Sequence, residues 1–213
     1  MPDIASFFQQ FAILLIPVLS AITLHELAHG YMAYLLGDPT ARNAGRLTLN
    51  PIKHLDPVGT IALFLIHIGW AKPVPINAAY FANQRQGLIL VSVAGPATNF
   101  MVAVVFALFF HLFSLLLYTS AGSGAIPVLE PLMYMCQAGV LINIGLGVFN
   151  LLPVPPLDGS NILAGILPPH LAQAFLKHST YGFIILILLL VSGGAQKVIL
   201  PIIYGMGGFL VPL

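Results

Sequence analysis

The chain has 213 residues, of which 59% are hydrophobic and only 6% charged, with a formal net charge of +1. A soluble domain carries about 25% charged residues, so this composition excludes a soluble globular protein and reads as one integral membrane domain, embedded in the lipid bilayer. The near-neutral charge without a basic run excludes a nucleic-acid partner. The single Cys136 excludes an intrachain disulfide, a Cys-rich zinc knuckle and a CxxC redox site.

The first residues lack the basic region of a cleavable signal peptide and any lipidation pattern, so the first apolar segment is expected to be retained. That segment, residues 7–36, is longer than the roughly 30 Å hydrocarbon core requires, and Pro17 is a candidate kink. It ends at Gly37-Asp38-Pro39 and opens into a polar loop carrying Arg42, Arg46 and Lys53. Val58 to Trp70 is apolar again but covers only about 20 Å as a helix, too short to span. The stretch after it, "AKPVPINAAYFANQRQ", is extended in character because of its prolines. Residues 58–85 therefore read as a re-entrant β-hairpin or extended element, which is tolerated only where it packs in protein or lines a wet cavity.

Further spans are expected at 87–118 and 130–152. A proline-rich break, "NLLPVPPLDG", leads into an LDG loop at 153–160 and a short helix. C-terminal segments at 180–212 close the chain around Ser192-Gly193-Gly194. The expected fold is all-α and polytopic, with four to six membrane segments. The basic residues Arg42, Arg46, Lys53, Lys72, Arg85 and Lys177 fall on one side if 58–70 does not cross. The positive-inside rule then puts these loops in the cytoplasm and the N-terminus outside.

Within the first span stands "TLHELAHG", Thr23 to Gly30. Positions i and i+4 share a helix face, so His25 and His29 can point at one ion, with Glu26 beside them to accept a proton from water. Three ionisable residues within five positions of a membrane helix cost several kcal/mol unless paired or metal-bound. The bland alternative is a polar helix–helix contact. A zinc peptidase site needs a third protein ligand and an open position. The longer metzincin pattern fails, because Met32 and Leu35 stand where Gly and His are needed. Among the carboxylates, Asp3 is terminal, Asp38 and Asp56 have turn or capping explanations, and Glu130 begins a span on the opposite side. Asp158 lies just beyond an apolar span on the same side as His25 and His29. It is the favoured third ligand, with an N-cap role for the following helix as its alternative. His54 reads as a solvated or a turn residue. His67 and His111 read as packing or interhelical hydrogen-bonding residues, and His170 and His178 as flanks of an interfacial helix.

Taken together, His25-Glu26-Leu27-Ala28-His29 and "NLLPVPPLDG" resemble the site-2 protease family of intramembrane zinc metalloproteases, and "AGPATN" is similar to that family's G-P-x-x-N element. The resemblance covers about residues 5–190 and is to the compact, mostly prokaryotic type, without PDZ or CBS domains. It implies one zinc per chain on His25, His29 and Asp158, with Glu26 as general base. It further implies a substrate-positioning or oxyanion-stabilising role for Asn150, and corresponding substrate-side positions at Asn99 and Pro156. The expected activity is hydrolysis of peptide bonds in or near transmembrane helices of protein substrates, in a bacterial or archaeal cell membrane. A homodimer is an assembly to test. The extended "KPVPINAAYF" is either an edge that holds unwound substrate by strand addition, through Lys72, Val74 and Ile76, or simply a structural hairpin. Two other classes stay in view: a divalent-metal-binding or transport protein, which lacks the expected repeated halves, and an inactive protease-like scaffold, which the presence of Glu26 disfavours.

Overall fold

The computed structural model describes residues 4–66, 69–119 and 126–212. In chain order the helices are α1 (Ile4–Leu35), α2 (Thr40–Asn43), α3 (Pro57–Ile66), α4 (Gln84–Thr119), α5 (Ile126–Asn150), α6 (Asp158–Ile166), α7 (Pro169–Lys177), α8 (Ser179–Val191) and α9 (Gly194–Leu210). Short 3-10 turns sit at Pro51–Lys53 and Ala78–Tyr80. Among the described residues three helices are long and apolar enough to cross a membrane: α1 over Phe11–Leu35, α4 and α5. Helices α7 and α8 meet at a 64° bend and make a fourth candidate if counted as one span. The fold is that of an all-α polytopic membrane protein.

Helices α1, α4 and α5 pack against one another, α6 lies on α4, and α9 covers α5. Lipid is as apolar as leucine, so such helices associate through close packing and buried polar contacts rather than through a hydrophobic drive. Small residues supply the closeness. Ala103 and Ala107 of α4 are buried in the seam. Gly139 and Gly147 of α5 lie against the rings of Phe106 and Phe100. The core continues through Cys136, Val140, Ile144 and Val148 to Ala195 and Ile199 of α9.

The segment after α3 departs from the hairpin expectation and takes the extended alternative. No strand forms among the described residues, and a single antiparallel bridge joins Leu55 to Ala71. Pro73 and Pro75 have no N–H, so a regular ladder along this stretch cannot form. Side chains replace it. Arg46 donates to the carbonyls of Lys72 (2.6 Å) and Pro73 (3.1 Å), Asp38 accepts the N–H of Asn77 (2.7 Å), and the N–H of Lys72 reaches His54 O (2.9 Å). Val74 inserts its side chain against Gly30, where a Cβ would stand 3.1 Å from Val74 Cγ1. The glycine lets the segment lie on α1 one turn beyond Glu26.

His54 takes the turn alternative rather than the solvated one, closing the Pro51–Lys53 turn. It is fully buried, and its Nε2–H donates to Thr48 O at 2.9 Å. His111 donates to Leu210 O (2.8 Å) and His178 caps the end of α7 through Ala174 O (2.7 Å). His67 lies outside the described residues.

Candidate metal centre

Three elements bring the site together. On α1, His25 and His29 stand one turn apart, with Nε2 atoms 2.9 Å from each other. The Asp158 carboxylate, at the start of α6, places Oδ2 3.2 Å from both of these nitrogens. The N-cap alternative for Asp158 does not apply: Leu157 holds the cap position and no side-chain cap bond is made. Two glycines make the convergence possible. Gly159 brings the start of α6 against the carbonyls of Leu151 and Leu152. Gly95 of α4 sits over the imidazoles, where a Cβ would lie 2.6 Å from His29 Cε1 and 2.7 Å from His25 Cε1.

The protons in this cluster can be assigned from its partners. His29 Nδ1 faces the carbonyl of Val91 at 2.7 Å, an acceptor only, so Nδ1 carries the hydrogen. His25 Nδ1 faces Asn99 Oδ1 at 2.6 Å and donates in the same way. Both Nε2 atoms of the neutral rings are therefore bare lone pairs aimed inward. Asp158 Oδ2 is buried and receives no hydrogen bond among the described residues. Three lone-pair atoms thus converge at about 3 Å inside a low-dielectric site. One shared proton could relieve one of these approaches, whereas a cation relieves all three. Two imidazole nitrogens and a carboxylate oxygen, with each imidazole held by a hydrogen bond on its other nitrogen, form a donor set that suits zinc. Among the described residues these three form the one group of its kind.

Glu26 is half-buried beside the cluster, and its Oε2 accepts the N–H of Val74 at 3.0 Å. Asn99 is fully buried on α4, at the back of His25 rather than at a substrate surface. Asn150 turns its amide N–H to Leu146 O within α5 (3.0 Å). Pro156 is exposed on the loop before Asp158, next to a cis Pro155–Pro156 peptide. Lys72 and Ile76 are exposed on the extended segment. Glu130, the carboxylate expected on the opposite side, is exposed and bonded to Tyr134, apart from the cluster.

Sequence reasoning passes over Asn143, Arg46 and the anchoring role of Asp38. For Asn143 a signal exists: a polar amide in the middle of an apolar span is costly by the same reasoning that singles out His25. For Arg46 and Asp38 the partners are backbone groups more than 25 positions away, which no local pattern encodes.

The chain matches Peptidase family M50 over residues 12–192. It is 40% identical to YwhC of Bacillus subtilis over 89% of this chain and 85% of that one. It is 29% identical to Rip2 of Mycolicibacterium smegmatis over 87% of this chain and 69% of that one. It is also 28% identical to the zinc metalloprotease MJ0392 of Methanocaldococcus jannaschii, over 73% of this chain but 34% of that longer one. No solved structure matches it. Since the match to the family takes in both the HExxH helix and the LDG loop, the chain belongs to peptidase family M50, the site-2 protease family, and is a zinc metalloprotease.

Proposed function

We propose that this chain cuts peptide bonds in or near transmembrane helices of membrane-protein substrates, at a site held by His25, His29 and Asp158. The observation that carries this reading is the convergence of three bare ligand atoms, two of them on a helix that is itself long and apolar enough to span. A metal-binding group serving only structure would not need to be built at that depth, where each ionisable residue is costly.

Held by His25, His29 and Asp158, zinc would supply Lewis-acid chemistry to the reaction. Glu26 then takes the proton of the attacking water and returns it to the leaving amine nitrogen. The Val74 N–H fixes Oε2 of that carboxylate, and Oε1, without a partner among the described residues, is the oxygen for the transfer. Asn150 retains a second amide hydrogen beyond the one given to Leu146, which suits it to the developing oxyanion.

A helix must unwind before its carbonyl can be attacked, and the unwound backbone then needs partners. The extended segment offers fewer than its length suggests. Lys72 is committed through both backbone groups, the N–H of Val74 is spent on Glu26, and that of Asn77 on Asp38. Ile76 is exposed and its backbone groups have no partner among the described residues, so we assign the substrate contact to it, with Val74 O as its neighbour on the same edge. The basic residues between α1 and α4 support a cytoplasmic opening of the site in a cell membrane.

The test is cleavage of a single-span substrate co-reconstituted in liposomes, with the cut mapped by mass spectrometry. Wild type is expected to cut within or at the edge of the apolar segment, and Glu26→Gln to keep zinc but lose cleavage. Cutting confined to soluble peptides would sink the intramembrane reading.

A further inference from the structure

We propose that Asn143, on α5, is a positioning residue that fixes the metal-binding tautomer of His25 by holding the amide of Asn99 in one orientation. The inference rests on the metal site proposed above and adds a residue that touches neither metal nor substrate.

The relay starts at a group with no freedom. Gly139 O is a helix carbonyl and can only accept, so Asn143 turns its Nδ2 toward it (2.9 Å) and leaves Oδ1 facing α4. That oxygen can only accept, so Asn99 must present Nδ2 to it (3.0 Å). The second amide hydrogen of Asn99 goes to Ala21 O at 3.1 Å. With both hydrogens of its amide spent, Asn99 has only Oδ1 left for His25 Nδ1, at 2.6 Å. His25 must then carry its hydrogen on Nδ1 and expose Nε2. Asn99 and Asn143 are both fully buried, so each reversal leaves an unpaired or repelling pair in a low-dielectric interior.

The relay has something to oppose. Asp158 Oδ2 lies 3.2 Å from His25 Nε2 and has no donor. A hydrogen on Nε2 would satisfy that carboxylate and block the ligand position. Such a tautomer becomes available only if Asn99 flips and offers Nδ2 to a bare Nδ1. Ala21 O alone resists the flip with one hydrogen bond; Asn143 supplies the second.

The experiment uses the full chain in detergent micelles, freed of metal, with ¹⁵N-labelled histidine, and His25 assigned by comparison with His25→Gln. Ring-nitrogen shifts report the tautomer, and titration with zinc alone reports affinity. Wild type is expected to show a single Nδ1–H tautomer at His25. Asn143→Leu, which keeps the branched four-atom skeleton and removes the acceptor, is expected to show a mixture and zinc affinity about tenfold weaker, the lower end for outer partners of a metal ligand. Asn143→Asp is expected to restore both readings, because in either protonation state it offers Asn99 an oxygen acceptor. Asn143→Ala removes the same acceptor and carries the same reading should the leucine variant not fold. A wild-type Nε2–H tautomer, or wild-type tautomer and affinity in both the leucine and alanine variants, would overturn the relay. A chain that binds no zinc yet shows the tautomer shift would support the relay and contradict the metal site.

Discussion

Gly95→Ala is a sharp perturbation because its two effects have opposite signs. In the middle of α4, replacing glycine by alanine favours the helix by up to about 1 kcal/mol on propensity alone. The new methyl, however, would stand 2.6 Å from His29 Cε1 and 2.7 Å from His25 Cε1, against an ordinary contact near 3.4 Å. The rings must therefore retreat by about 0.8 Å, several times the roughly 0.2 Å tolerance on a metal–ligand distance. Both rings are also tied from behind, by Val91 O and Asn99 Oδ1, so retreat breaks the bonds that keep Nε2 bare. The strain of overpacking, about 1–3 kcal/mol, offsets the propensity gain and leaves the metal-free protein near wild-type stability or modestly below it. Zinc affinity is expected to fall by about 100-fold, at the upper end for disrupted outer partners, and proteolysis with it. The assay is zinc titration with thermal unfolding of the metal-free protein measured in parallel. Stoichiometric zinc at wild-type affinity would refute the steric reasoning, and a collapse of the metal-free fold would show that Gly95 serves packing instead.

Proline scanning of the extended segment now separates two roles. Ile76→Pro is expected to reduce cleavage severalfold with zinc unchanged, because an open donor is lost. Val74→Pro removes the N–H that holds Glu26, so kcat is expected to fall even on a short peptide that needs no unwinding; equal effects of both variants on both substrates would contradict the assignment. Asn77→Pro breaks the Asp38 anchor and is expected to destabilise the segment. Asp38 itself gives a pH test. Burial alone would raise its carboxyl, but the N–H of Asn77 with the hydroxyl and N–H of Thr40 outweigh that and hold it below the ordinary carboxylate value. A lowered carboxylate contributes stability that is present above its unfolded value of about 3.9 and is lost only as pH falls through the lower folded value. Asp38→Asn is therefore expected to cost about 2 kcal/mol equally at about pH 5.5 and about pH 8, read by thermal unfolding in detergent. A penalty that shrinks across that range would mean the carboxyl is not held ionised.

What could be read from the sequence and what could not divide along one physical line. His25 and His29 were legible because a helix converts a four-residue spacing into a shared face. The long spans were legible because lipid imposes a length and an apolar composition. Asp158 was reachable because few carboxylates exist in the chain and one follows a span on the matching side. The contacts that finish the site were not legible, since they join residues 74 positions apart, as His25 does with Asn99, or 48 apart, as Val74 does with Glu26. The extended segment illustrates the limit: its prolines announce extended backbone, but not that Arg46, Asp38 and Glu26 would take the places of a neighbouring strand. Because the donor of Val74 is already spent, an edge that reads as open from sequence is half closed in the fold.

The most direct test of the account is zinc-edge X-ray absorption on the purified wild type and Asp158→Ala, with metal content measured on the same samples. The account predicts about one zinc per chain, two imidazole nitrogens at about 2.0–2.1 Å with light oxygen ligands completing the shell, and a sharp fall in bound zinc when Asp158 is removed. Zinc retained in Asp158→Ala with an unchanged shell, or a wild-type shell lacking two imidazoles, would contradict it.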